Sequence, residues 1–173
     1  MLRKFIFILF PCAFFAQNNA VKVNSVGFFN SGLELSYDRF LRNNTSVEIV
    51  FASSKIDSTV DENETNLIGI EGRYKFYLQK NNGLQGVYVA PGASLLYSNQ
   101  DSYKGLQSNL LFAGAAGLVG YQFMFGKKHQ TSGFIFDVNL GFSHYFIDSS
   151  KYTNLHKISG FQPRYGISIG YAF

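Results

Sequence analysis

The chain has 173 residues, of which 46% are hydrophobic, 17% aromatic and only 15% charged, with 15 Lys and Arg against 11 Asp and Glu. This length predicts a single domain, and so hydrophobic a composition excludes an intrinsically disordered chain. The sequence has no run of about 18 apolar residues, which excludes a membrane-spanning helix, and its small net charge does not indicate a nucleic-acid-binding surface.

The N-terminal segment has the layout of a secretory signal peptide. Arg3 and Lys4 form a short basic start, an apolar stretch follows as far as Ala16, and a polar segment opens at Gln17. We therefore predict that residues 1–16 are a cleaved signal peptide and that residues 17–173 form the mature domain. Cleavage after Ala20 is the alternative site, and a buried N-terminal strand or short helix is the alternative structure.

The only cysteine, Cys12, lies inside the predicted signal peptide. A lipidated cysteine normally follows a small residue, whereas Cys12 follows Pro11, so the sequence does not favour a lipoprotein. Removal of the signal would leave a mature chain without cysteine. Disulfide bonds and thiol-based metal or nucleophilic chemistry are then excluded together.

The mature sequence alternates between apolar and polar residues in segment after segment. Between residues 68 and 78, aliphatic and aromatic side chains recur at every second position, while Glu71, Arg73 and Lys75 lie between them. Because successive side chains of a strand point to opposite faces, this pattern predicts strands with one apolar and one polar face. The predicted strands cover residues 20–29, 32–41, 45–55, 65–79, 84–98, 108–125, 133–147 and 163–173.

Short and long connections alternate along this series of strands. The connections at 41–44, 80–83 and 126–132 are short, and those at 56–64, 99–107 and 148–162 are longer and polar. Only the first connection, around residues 30–31, departs from this order, because it is short. Short turns at one end, longer loops at the other and an even number of strands are typical of outer-membrane barrels. Most of the strands reach the roughly 9–11 residues that cross a bilayer when tilted. We therefore predict an all-β fold, an eight-stranded antiparallel up-and-down transmembrane β-barrel.

The last strand ends on alternating apolar residues, namely Tyr165, Ile167, Ile169, Tyr171 and Phe173. Residues 32–40, followed by 45–48, have the pattern of a first barrel hairpin. Together with the signal peptide, these features resemble small outer-membrane β-barrel proteins of Gram-negative bacteria. The resemblance implies location in the cell outer membrane, contact with its lipid and lipopolysaccharide, and recognition of the C-terminal strand by the barrel assembly machinery. It implies no particular activity, because such barrels include adhesins, structural anchors, pores and enzymes.

If the apolar faces meet lipid, the polar faces line the lumen of the barrel. A turn near Asn43 would place Asp38 opposite Glu48, and the next loop would place Glu48 beside Arg73, one residue of register aside. An eight-stranded barrel is only just wide enough for its own side chains. This disfavours a large pore and acid–base catalysis on a substrate, and it leaves a narrow or gated path open. We predict a lumen ion-pair network of Glu34, Asp38, Glu48, Glu71, Arg73, Lys75, Asp137 and Arg164.

The three histidines, His129, His144 and His156, do not have the spacing of metal ligands, so we predict neither a metal site nor a cofactor. His144 is in the lipid-facing phase near the outer rim, where outer-membrane lipid A acylases and deacylases carry a His, but no Ser follows it two residues later. We interpret it as an interfacial side chain beside an aromatic belt. The acidic loop at 57–64 lacks the spacing of a calcium-binding loop, and the basic loop at 151–164 is a candidate contact for lipopolysaccharide.

These observations predict a non-enzymatic outer-membrane protein with a structural or surface-contact role through its extracellular loops. One alternative is an outer-membrane enzyme that modifies lipids. The other is a soluble, lipocalin-like barrel that binds a lipid, which also has eight strands but is apolar inside. Alternation alone does not say which face is inside. The large side chains of the apolar faces and the small residues among the polar ones favour the membrane.

Overall fold

The computed structural model describes residues 19–24, 32–41, 44–57, 64–79, 84–100, 108–126, 132–146 and 160–173. The predicted signal peptide, residues 1–16, lies outside these ranges. Within them, no helix is long and apolar enough to cross a membrane. The strands are β1 (Asn19–Asn24), β2 (Leu33–Phe40), β3 (Thr45–Asp57), β4 (Glu64–Tyr77), β5 (Gly86–Gln100), β6 (Ser108–Phe125), β7 (Gly133–Phe146) and β8 (Gly160–Ala172).

The eight strands form one closed barrel. Each strand pairs antiparallel with the next, and β8 pairs with β1. The N–H of Asn19 donates to the carbonyl oxygen of Phe173 (3.1 Å), and the N–H of Phe173 donates to that of Asn19 (2.8 Å). Strands β1 and β8 are paired over five positions, from Ala20 with Ala172 to Asn24 with Ser168. The all-β, eight-stranded antiparallel barrel predicted from the alternation is therefore confirmed.

Most strand ends differ from the predicted ones by one to three residues, and only β6 has the predicted bounds at both ends. β8 begins at Gly160 rather than at residue 163, and β5 begins at Gly86 rather than at residue 84. Both glycines have positive φ, 80° and 118°, a conformation that glycine adopts without steric cost. Pro163 lies inside β8 although proline usually marks the start of a strand. The predicted first strand, 20–29, includes residues 25–29, which lie outside the described ranges.

The barrel turns its apolar faces outward and its polar faces inward. In β2, Leu33, Leu35 and Tyr37 are 38–61% exposed, whereas Glu34 and Asp38 are 2% and 0% exposed. The other strands show the same alternation of outward apolar and inward side chains. Large apolar side chains are exposed on the outer wall of every strand, among them Val23, Leu35, Phe51, Ile68, Leu95, Leu111, Leu140 and Ile169.

The interior has three layers along the barrel axis. At the end where β1 begins and β8 ends, an apolar cluster forms a floor of Ala20, Tyr77, Leu84, Tyr88, Ala90, Leu118, Ile135 and Ala172, with Phe40 and Met124 packed against it. Charged side chains occupy the middle. Towards the opposite end, Leu67, Leu96, Phe112 and Tyr145 are buried, and the rings of Phe112 and Tyr145 meet edge to face at 6.1 Å. Apolar side chains therefore cover the charged layer on the floor side, whereas on the opposite side they lie among buried serines, Ser54 and Ser98.

Candidate functional site in the barrel interior

The middle layer brings together the charged residues of the polar faces. The structure places all eight predicted lumen residues inside the barrel, none of them more than 9% exposed. They reach the interior because each lies at a strand position whose side chain points inward. The eight are Glu34 and Asp38 on β2, Glu48 on β3, Glu71, Arg73 and Lys75 on β4, Asp137 on β7 and Arg164 on β8.

A ninth charged residue of this layer, Lys22, was missed by the sequence analysis. It lies on β1 and is 1% exposed, between Val21 and Val23 on the outer wall. The signal that could have found it is the alternation of these two valines with Lys22 and Asn24, which is the same phase as in the other strands. The shortness of this segment made the pattern weak.

Two buried lysines meet three carboxylates, and we call this set the lysine cluster: Lys22, Lys75, Asp38, Glu48 and Asp137. The Nζ atom of Lys22 lies 3.2 Å from Asp38, 2.5 Å from Glu48 and 2.9 Å from Asp137. The Nζ atom of Lys75 lies 2.9, 3.3 and 3.1 Å from the same three carboxylates. Each ammonium group therefore has three anionic partners at distances typical of charge-assisted hydrogen bonds.

Neutral side chains complete the lysine cluster on its floor side. Both ammonium groups donate to Oε1 of Gln122, at 3.3 and 3.2 Å, and its Nε2 donates to the backbone carbonyl of Leu84 at 2.9 Å. The hydroxyl of Tyr88 donates to Oδ1 of Asp137 at 2.7 Å. The Nζ atom of Lys75 also lies 4.6 Å from the centre of the Tyr88 ring, within the range of a cation–π interaction.

Two arginines and two glutamates form the arginine cluster, Arg73, Arg164, Glu34 and Glu71, on the other side of the layer. Glu71 accepts from Arg73 Nε and from Arg164 Nη1, both at 2.6 Å. Glu34 is farther from the guanidinium groups, at 3.9 Å from Arg73 Nη2 and 3.7 Å from Arg164 Nη2. Arg73 Nη1 donates to Oε2 of Glu48 at 3.3 Å, and this bond joins the two clusters.

The strand register explains these neighbours. Asp38 pairs with Glu48 across β2 and β3, which is the pair predicted from a turn near Asn43. Glu48 pairs directly with Arg73 across β3 and β4, so the predicted offset of one residue was wrong. The register of a hairpin depends on the length of its connection, and here the connection closes on the pair Asp57 and Glu64.

The network can tie the barrel together but leaves little room for a solute. With Tyr88 and Gln122, its described members come from all eight strands, and side chains from opposite walls meet in the middle. Among the described residues, no group of three or more His, Cys, Asp or Glu side chains is arranged to hold a metal ion. The interior thus pairs buried carboxylates with buried ammonium and guanidinium groups, which offsets part of the cost of removing these charges from water.

Gly120 gives the Tyr88 ring its place beside the lysine cluster. A Cβ atom at Gly120 would lie 2.5 Å from Cζ and Oη of Tyr88 and 2.7 Å from the carbonyl oxygen of Val138. We expect Gly120→Ala to displace Tyr88 and lower the free energy of unfolding by about 1–3 kcal/mol. Gly117 is the matched control, because a Cβ there meets nothing within 4 Å. Equal urea midpoints for the two alanine variants would contradict this role of Gly120.

The remaining predicted residues lie outside the interior. Tyr165, Ile167, Ile169 and Tyr171 are 46–64% exposed on the outer wall of β8, and Phe173 bonds to Asn19 as described. The imidazole of His144 also faces outward, with ring centres 4.9 Å from Phe146 and 4.7 Å from Phe161. His129, His156 and most of the acidic and basic loops, at 58–63 and 147–159, lie outside the described residues.

The fold and the interior define a class of structure: a closed eight-stranded barrel whose charges are inside and whose large apolar side chains are outside. Comparison of the chain with protein-family models, with curated proteins and with solved structures found no match. The function of the chain is therefore inferred from its own geometry and from the chemistry of its residues.

Proposed function

We propose that the chain is an integral β-barrel of a Gram-negative outer membrane, with a structural or surface-contact role through its outer loops. The observation that carries the proposal is the inverted polarity of the barrel. Its outer wall exposes large apolar side chains on every strand, whereas the described part of the chain buries five carboxylates and four cationic groups inside.

The extent of the apolar wall favours lipid as its surroundings. Soluble monomers rarely expose contiguous apolar patches larger than a few hundred Å², but here the exposed apolar side chains encircle the barrel. Lipid solvates such a surface, and a closed barrel satisfies its backbone polar groups without water. The soluble, lipocalin-like alternative is disfavoured, because a lipid-binding interior would be apolar rather than filled with ion pairs.

Aromatic side chains near the short-turn rim also support a membrane location. Tyr74 packs against Phe76 with ring centres 4.7 Å apart, and Tyr121 packs against Phe123 at 4.1 Å. On the neighbouring strands, Phe134 and Tyr171 meet edge to face at 5.8 Å. Such groups on the outer wall are typical of the aromatic girdles that hold barrels at a membrane interface.

The filled interior favours a role for the loops over a role for the lumen. Lys75, Asp38 and Gln122 are 0% exposed, so a wide aqueous channel would require the charged layer to come apart. Contact with lipopolysaccharide or another surface partner through the long connections, and delivery by the barrel assembly machinery through β8, belong to the same proposal.

Fractionation and gel mobility test the proposal directly. We expect the full chain, expressed in a Gram-negative host, to be recovered in the outer-membrane fraction and to change its mobility on boiling in detergent. The reason is that a closed barrel stays folded in detergent until it is heated, so the boiled sample is the internal control. Recovery in the soluble periplasmic fraction without a mobility shift would contradict the proposal.

A further inference from the structure

The charged layer does not balance if all its groups are ionised. Among the side chains that the structure describes, the interior holds five carboxylates, Glu34, Asp38, Glu48, Glu71 and Asp137, and four cations, Lys22, Lys75, Arg73 and Arg164. A net charge buried in the barrel interior is costly, because the charged groups have lost most of their contact with water. One further positive charge in this layer would make it neutral.

Four of the five carboxylates have close cationic partners. Glu71 has two guanidinium contacts at 2.6 Å. Asp38 and Asp137 each lie 2.9 Å from an ammonium group, and Glu48 lies 2.5 Å from one. Distances this short are characteristic of ionised pairs, so these four groups are well placed to remain carboxylates.

Glu34 is the exception. Its nearest cationic atoms are 3.7 and 3.9 Å away, beyond hydrogen-bond distance, and both belong to arginines that bond to Glu71 at 2.6 Å. Oε2 of Glu34 accepts from the neutral amide of Asn24 at 3.1 Å. Oε1 is buried without a hydrogen-bond partner, and the whole residue is only 2% exposed.

We propose that Glu34 is a proton-binding site and that it carries a proton at neutral pH. The proton comes from solvent and occupies Oε1, and it turns the carboxylate into a neutral acid that balances the layer. The titratable and charged groups that face Glu34 are Glu71 and Arg73 from β4, Arg164 from β8 and Tyr145 from β7. Asn24 from β1 is neutral, and so is Ala52, which pairs with Glu34 across β2 and β3. The proposal needs only the closed barrel, so its failure would leave the membrane assignment untouched.

Infrared spectroscopy of the purified full chain, folded in detergent micelles at neutral pH, tests the proposal. A protonated carboxylic acid has a carbonyl band apart from the carboxylate bands, and the band shifts in D₂O. We expect one such band in the unmodified protein and its loss in Glu34→Gln. The double variant Asp38→Asn with Lys75→Met is the matched control. It removes one buried charge of each sign from a close pair, so the excess of one carboxylate remains. This variant should keep the band.

Stability provides a second measurement. A neutral amide in place of a neutral acid should leave the urea midpoint nearly unchanged, whereas Glu71→Gln, which loses two charge-assisted bonds, should lower it clearly. The proposal is overturned if the unmodified protein shows no acid band, or if the band persists in Glu34→Gln. It is equally overturned if Glu34→Gln fails to fold, or if the band is absent and the midpoint depends on the monovalent cation supplied. That last result would place a metal cation where we place the proton.

Discussion

Replacing Lys75 with methionine is expected to lower the free energy of unfolding by about 3–5 kcal/mol, the usual cost of removing one partner of a buried ion pair. Lys75 is 0% exposed, and its ammonium group contacts Asp38, Glu48 and Asp137 within 3.3 Å. Without it, three carboxylates would share Lys22. Methionine keeps most of the length of the side chain, so the loss would come mainly from the charge.

Urea unfolding in lipid vesicles, followed by circular dichroism or by the mobility of the unboiled band, measures this effect. Arg39→Met is the control, because Arg39 is an exposed cation on the outer wall of β2, where removal of a charge should cost at most about 1 kcal/mol. Adding Asp38→Asn to Lys75→Met removes one of the excess carboxylates. We expect the pair to be coupled by about 0.5–3 kcal/mol; strict additivity would mean that the cluster does not act as one network.

The alternation of the sequence predicted the architecture because it shows which side chains share one face of each strand. Glu34 and Asp38 alternate with Leu33, Leu35 and Tyr37, and this phase alone assigns them to one side of the sheet. Whether that side faces the lumen depends on how the barrel closes. The burial of the side chains in the structure answers this question, whereas the sequence indicates only which residues share a face.

The partners within the charged layer could not be predicted in the same way. Arg164 and Glu71 are 93 residues apart in sequence yet meet at 2.6 Å. That contact depends on the register of every strand between them, and a slip of one residue in any strand would move a side chain to the other face. The pair that was predicted, Asp38 and Glu48, crosses a single short turn.

The apolar floor could not be predicted from the sequence, for a different reason. Ile135 points inward at 2% exposure, while Phe134 on the same strand is 68% exposed. All three residues from Phe134 to Phe136 are apolar, so the contrast between the two faces disappears locally. The inward position of Ile135 follows only from Asp137, two residues later on the same face. The alternation is informative only where one of the two faces is polar.

Placing an arginine on the outer wall is the sharpest test of what surrounds the barrel. Leu140 lies midway along β7 and is 64% exposed, and Leu78 lies just after β4 at the short-turn end and is 68% exposed. In a bilayer we expect Leu140→Arg to cost about 2–4 kcal/mol and Leu78→Arg about 0–1 kcal/mol, since the penalty for a charge falls from the midplane to the interface.

The comparison of the two leucines separates lipid from water without any assumption about the loops. Both side chains have nearly the same exposure, so on the surface of a soluble barrel both substitutions should change stability by no more than about 0.5 kcal/mol. A difference between them requires surroundings that vary with height along the barrel, as a bilayer does. Equal, small effects in lipid vesicles would argue against the membrane, and a large loss at Leu140 alone would support it through the folding energetics of the chain itself.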